Sequence, residues 1–260
     1  MKFISDYIAD FESTEKQQNL AATLKSLKDA YDVTKGGDPI STFEDFVRAY
    51  NWLGQRETKA AYEINSNLAR NLPGALMQDW LIHVMLTLTR NHHELMFFTE
   101  VRVPFGNYPV WESGNVLIKQ PSEKSDLAVG YLRNPDGTVE TNNSGWPNPI
   151  FISQAELAGR SVIPLVTVNS KIRVSQSEFF DWQGREQLMT KGNPHCLSIQ
   201  VALRKEMDIA VVEASQAGEK FFLLGTGGET NVRPDRAELE RFVEIIREHI
   251  ERRMNSSPQQ

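Results

Sequence analysis

Three charged residues stand beside segments able to hold them still: Asp126, Lys171 and Glu186. Asp126 follows Ser125 at the head of an apolar run, Leu127 to Leu132. Lys171 closes Val168-Asn169-Ser170-Lys171, the end of the strongest strand pattern, over 161–172. Glu186 comes fifteen residues later, inside a helical stretch over 176–191. An aspartate and a lysine at the ends of neighbouring strands put a metal ligand beside a fixed cation. A glutamate reaches the same point if its helix packs over those strand ends. Phosphodiester cleavage uses such parts. Two carboxylates, here Asp126 and Glu186, would hold Mg²⁺ on a phosphate oxygen and on the attacking water, and a lysine would orient that water and offset charge building on the phosphate.

The elements that must position these groups follow from periodicity. Up to residue 93 the chain reads as helical. Residues 2–33 carry Phe3, Ile4, Ile8, Phe11, Leu20, Leu24 and Leu27 at helical spacing, and Lys35-Gly36-Gly37-Asp38-Pro39 breaks the pattern. Ser41 or Thr42 is predicted to cap the next helix, a further helix covers about 56–71, and Pro73-Gly74 opens the most apolar one, over about 74–90. Strands are predicted over 95–104, 115–119, 161–172, 195–203 and 220–225, and residues 133–149 form a polar loop rich in Asn, Gly and Pro. The expected fold is α/β: one domain over 1–255 with a mixed central sheet flanked by helices. It divides into a helical N-terminal part (1–93), a core carrying the chemistry (94–225) and a C-terminal helix (234–254), with 255–260 as a disordered tail.

Composition sets outer bounds. A chain of 260 residues, 40% hydrophobic, can bury a sizeable core. No apolar run reaches the roughly 18 residues that a membrane span needs. Asp6, Asp10 and Glu12 interrupt any apolar leader, so no export signal is read and a cytoplasmic setting is expected. Cys196 is the only cysteine, which excludes an internal disulfide and a multi-cysteine zinc site. A net charge of −6 argues against loose, whole-surface binding of nucleic acid but leaves a locally basic groove open.

The order Asp126, then Lys171 on the following strand, resembles the PD-(D/E)XK nucleases. Most of them carry an acid two positions before the lysine, where this chain has Asn169. Type II restriction enzymes that cut around CCGG and CCNGG lack that acid and supply a glutamate from the downstream helix. Ser125-Asp126, Asn169-Ser170-Lys171 and Arg185-Glu186 are similar to their pattern, and the resemblance covers residues 95–203 best. It implies a restriction-endonuclease-like fold and Mg²⁺-dependent, sequence-specific cleavage of double-stranded DNA to 5′-phosphate and 3′-hydroxyl ends. It also implies a homodimer on a two-fold site, with no nucleotide cofactor and no membrane partner, and a cognate methyltransferase. The guanine-reading arginines of that subgroup are absent, because Ser175-Gln176-Ser177-Glu178 occupies their place; a CCGG or CCNGG target is therefore not implied. The family often adds an acid from an upstream core helix, and Asp79 is read in that role, with Gln78 and Glu63 as alternatives.

Residues read as DNA contacts are Ser175, Gln176, Ser177, Arg185, Lys191, Arg204, Asn142 and Asn143; the amides suit adenine edges and the cations suit phosphates. Arg185, Lys191, Arg204 and Lys205 serve equally well as a solvated face. His92-His93, Gly225-Thr226-Gly227-Gly228 and His195-Cys196 are read as structural: neighbours on one strand point apart, and the glycine run lacks the lysine of a phosphate loop. Two alternatives stay open on sequence: a structure-directed repair or recombination nuclease on the same core, and a non-catalytic DNA-binding protein, which the neutral Asn169 favours.

Overall fold

A computed structural model describes residues 3–105, 108–112, 115–119, 122–142, 151–206 and 220–255. The helical N-terminal part comprises α1 (Phe3–Glu12), α2 (Gln18–Ala30), α3 (Pro39–Gly54), α4 (Arg56–Ala61) and α5 (Ser66–Leu88). Asp38, not Ser41 or Thr42, caps α3: its carboxylate accepts from the Ser41 amide while Pro39 takes the first helical position. The predicted 56–71 helix is two helices, broken where Glu63 adopts φ 52°. The second continues through Pro73 to Leu88, so Pro73 lies inside α5 instead of opening it. Leu72, Pro73, Leu76 and Trp80 are buried there, and tertiary packing outweighs the proline penalty of about 3 kcal/mol.

The sheet follows: β1 (Met96–Pro104), the hairpin β2 (Tyr108–Glu112) and β3 (Asn115–Lys119), β4 (Ser122–Arg133), β5 (Val139–Glu140), β6 (Phe151–Ser153) and β7 (Ser161–Val174). Then come α6 (Gln176–Gly192), β8 (Leu197–Lys205), β9 (Phe221–Leu223), the short hairpin β10 (Gly225–Thr226) and β11 (Arg233–Pro234), and α7 (Arg236–Asn255). Among the described residues seven strands make the central sheet, in the order β6-β1-β4-β7-β8-β9 with β5 beside β4. β4 runs antiparallel to β1 and β7, whereas β8 runs parallel to β7 and β9 parallel to β8. At the far edge β6 runs parallel to β1, and β7 is the strand where the antiparallel run β1-β4-β7 meets the parallel run β7-β8-β9. Two parallel neighbours cannot be joined by a tight turn, and α6 is the crossing between β7 and β8.

One face of the sheet, through Leu127, Val129, Val166, Val168, Ile199 and Val201, packs with the N-terminal helices and α7 into the main core. The opposite face forms two smaller clusters, one with Met189 of α6 and one with Phe179 and Trp182 of the same helix. At Gly130 the β4–β7 register shifts, and a Cβ there would lie 2.1 Å from the Ile163 carbonyl oxygen, so only glycine fits. The glycine run after β9 is a hairpin turn, as read from sequence. Gly227 has φ 108°, and the Asn231 side chain accepts from the Gly228 amide. Asn143 and the tail from 256 onward lie outside the described residues. Among the described residues no helix is long and apolar enough to cross a membrane.

Candidate active site

β4 and β7 carry the two residues with which the sequence reading began. β4 starts at Ser122, four residues before Asp126, so Asp126 lies within the strand and not at its head. Its Oδ2 accepts from the Ser170 backbone N at 2.7 Å and from Ser170 Oγ at 3.0 Å, which ties the carboxylate to the strand that bears Lys171. Ser125, just before it, is buried, and its hydroxyl donates to the Leu127 and Val168 carbonyls. Asn169 and Lys171 are two apart on β7 and so project to one face. Asn169 is in register with Gln200 of β8, and Lys171 with Ala202.

Asp126, Asn169, Lys171 and Gln200 line a pocket of about 320 Å³. Glu178, Asp181, Trp182 and Arg185 of α6 complete it, with Glu123 and Lys124 from the start of β4. Residues three and four apart share a helix face, which is why 178, 181, 182 and 185 arrive together. α6 begins on a capping box: Ser175 and Glu178 bond each other's backbone and side chain. Those bonds from Ser175, and the cations Lys171 and Arg173 beyond them, hold the Glu178 carboxyl below the usual glutamate value. Its Oε1 stands 3.9 Å from Lys171 Nζ. Arg185 is shared between Glu123, at 2.5 Å, and Asp181, at 2.7 Å. Across the β1–β4 ladder, Glu100 has φ 54° at the level of Asp126, between the pairs Thr99–Leu127 and Val101–Ser125, and its carboxylate is 3.5 Å from Lys124. Left-handed backbone in a strand is strained for glutamate.

Glu186 does not join this pocket. One residue on from Arg185 is a turn of about 100° around a helix, and its Oε1 instead takes bonds from Lys220 Nζ at 2.5 Å and Thr190 Oγ1 at 2.6 Å. Asp79 is also elsewhere. It is fully buried, and its carboxylate accepts from the Phe3 and Ile4 amides, capping α1. Of its alternatives, Glu63 pairs with Lys16 on the surface, and Gln78 borders a separate groove with Glu100 and Arg70. Ser175, Gln176 and Ser177 form the first turn of α6, where Ser175 serves as the cap. Arg185 is at the pocket, and Lys191 lies exposed at the far end of α6. Arg204 stands 3.6 Å from Glu229. Asn142 is buried, with its backbone amide donating to the Glu94 carbonyl.

Glu178, Gln200, Trp182, Glu123, Lys124 and Asp181 are pocket residues that sequence reasoning missed. For Gln200 there was a signal, a carboxamide in the otherwise apolar run Ile199 to Leu203.

The donor set suits a hard divalent cation. Every potential ligand lining the pocket is a carboxylate or amide oxygen, with no thiol or imidazole among them. Among the described residues no three His, Cys, Asp or Glu side chains converge as a ready-made metal centre. Mg²⁺ does not need one, since it keeps waters and takes one or two carboxylates plus substrate phosphate.

No protein-family model matches this chain, and no curated protein matches it. Among solved structures, a chain of the native BbvCI A2B2 tetramer matches with a TM-score of 0.52 and 11% sequence identity, over 99% of each chain. BbvCI is a type II restriction endonuclease. At that identity the likeness is one of fold: a mixed central sheet flanked by helices, as in a restriction endonuclease.

Proposed function

We propose that this chain is a restriction-type endonuclease that cuts double-stranded DNA at a specific sequence with the help of Mg²⁺. The observation that carries the reading is the meeting of Asp126 and Lys171 in one pocket, on neighbouring strands of a restriction-endonuclease fold, with Ser170 bonding the aspartate. Asp126 and Glu178 would hold the metal. Bound there, it would polarise the phosphate and acidify a water. Lys171 orients the attacking water and offsets charge on the phosphate. Arg185 binds the DNA backbone, exchanging its carboxylate partners for phosphate. The ends left would be 5′-phosphate and 3′-hydroxyl. A homodimer would match a two-fold target; BbvCI assembles as an A2B2 tetramer.

Incubation with unmethylated phage λ DNA and Mg²⁺, beside an EDTA control, tests this. Discrete metal-dependent bands are the expected result. A smear would make the enzyme non-specific or structure-directed, and no cleavage under any of several divalent metals would overturn the reading.

A further inference from the structure

Gln200 sits in the middle of β8 between Ile199 and Val201, both fully buried, and is itself only 2% exposed. Its backbone amide donates to the Lys220 carbonyl. Its carboxamide makes no hydrogen bond to any other group among the described residues, and it borders the pocket of Asp126 and Lys171. A carboxamide carries two N–H donors and an acceptor, and neither of its polar atoms is among the fully buried ones left without a partner, so both reach the surface of the pocket. Valine or isoleucine would suit the strand better. Trp182, in the same wall, keeps a buried Nε1–H with no partner. The pocket wall thus offers hydrogen-bonding capacity that the fold itself does not consume.

A structural role does not account for Gln200, because its amide bonds nothing. Its position beside Asp126 and Lys171 on the central strands, not on a loop, suits the phosphate backbone better than a base edge. With Glu123, Glu178 and Asp181 already around the pocket, a neutral donor adds a hydrogen bond without adding repulsion against an anionic substrate.

We propose that Gln200 is a further catalytic residue, whose Nε2–H donates to a non-bridging oxygen of the phosphodiester under attack, where negative charge accumulates. This rests on the nuclease reading above. Asn169, its register partner, gives the same wall a second amide.

The test compares wild type with Gln200→Met, similar in volume but without donor or acceptor. Three quantities are read: single-turnover cleavage with Mg²⁺, DNA affinity with Ca²⁺ in place of Mg²⁺, and melting temperature. The variant is expected to cleave about 100-fold more slowly, in line with the loss of one donor to developing charge. Its DNA affinity should stay within about twofold of wild type, and its melting temperature should stay close to that of wild type, because the amide bonds nothing within the fold. Cleavage within about twofold of wild type would overturn the proposal, as would a rate loss accompanied by a matching fall in melting temperature. If wild type itself fails to cleave with any divalent metal, the nuclease reading falls and this assignment with it; if wild type cleaves and Gln200→Met cleaves equally, only this assignment falls.

Discussion

Asp126 and Ser170 are bound twice over, through the Ser170 backbone amide at 2.7 Å and its hydroxyl at 3.0 Å. Both bonds go to Oδ2, so the carboxylate is tied down by one oxygen, from the residue next to Lys171. Ser170→Ala removes one of the two and should cost about 1.5–3 kcal/mol, the usual worth of a hydrogen bond to a charged group. It should also slow cleavage about tenfold through loss of orientation. Asp126→Ala and Lys171→Ala should abolish cleavage and leave DNA binding largely intact. Full activity in either would remove these residues from their proposed roles.

Glu178 and Glu186 make opposite predictions. Glutamine at the third helical position preserves a capping box, so Glu178→Gln keeps the start of α6 while removing the charge near Lys171. Cleavage should fall at least about 100-fold, with the Mg²⁺ requirement raised. Glu186→Gln weakens the bond to Lys220 and should lower the melting temperature by a few degrees with cleavage nearly unchanged. The reverse outcome would return the metal to Glu186.

Asp79 caps α1 from the core helix. Asp79→Ala should destabilise the protein by about 1–2 kcal/mol, as loss of a cap does, while the cleavage rate per folded molecule stays at the wild-type value. A large drop in rate without a drop in stability would restore the catalytic reading.

Burial holds the pKa of His83 and of His249 below the usual 6.5, against backbone hydrogen bonds that pull the other way; for His249 the charges of Arg253 and Arg252 add to the lowering. Below pH 6.5 the unfolded chain therefore binds protons that the folded chain refuses. Stability should be flat above that pH and fall as pH drops through it. Melting temperatures measured from pH 7.5 to 5 check this. His83→Gln should flatten the fall, and an unchanged slope in that variant would exclude His83 as a cause.

Much of the framework was legible in the sequence because its signals are local. The apolar runs of β1, β7 and β8 and the breakers around them depend on a few neighbouring residues, whereas Asp126, read at the head of its strand, lies four residues inside β4. What was lost depends on phase and on distant partners. Arg185 and Glu186 differ by one position, yet a helix turns them to different neighbours, and Lys220 lies 34 residues from Glu186. Asp79 was read by type in a core helix, but its use is decided by the arrival of α1 from 75 residues away. The proline at 73 was read as a helix start because the packing that carries α5 through it is tertiary.

Because β7 and β8 are parallel, the chain cannot avoid laying α6 across the sheet beside Lys171. The roof of the pocket is thus a consequence of connectivity before it is an adaptation to chemistry. Glu178, Asp181 and Glu186 are spaced along that one obligatory span. Any side chain placed on α6 in phase with Glu178 and Asp181 comes to the same strands, whatever residue stands at 169 on β7.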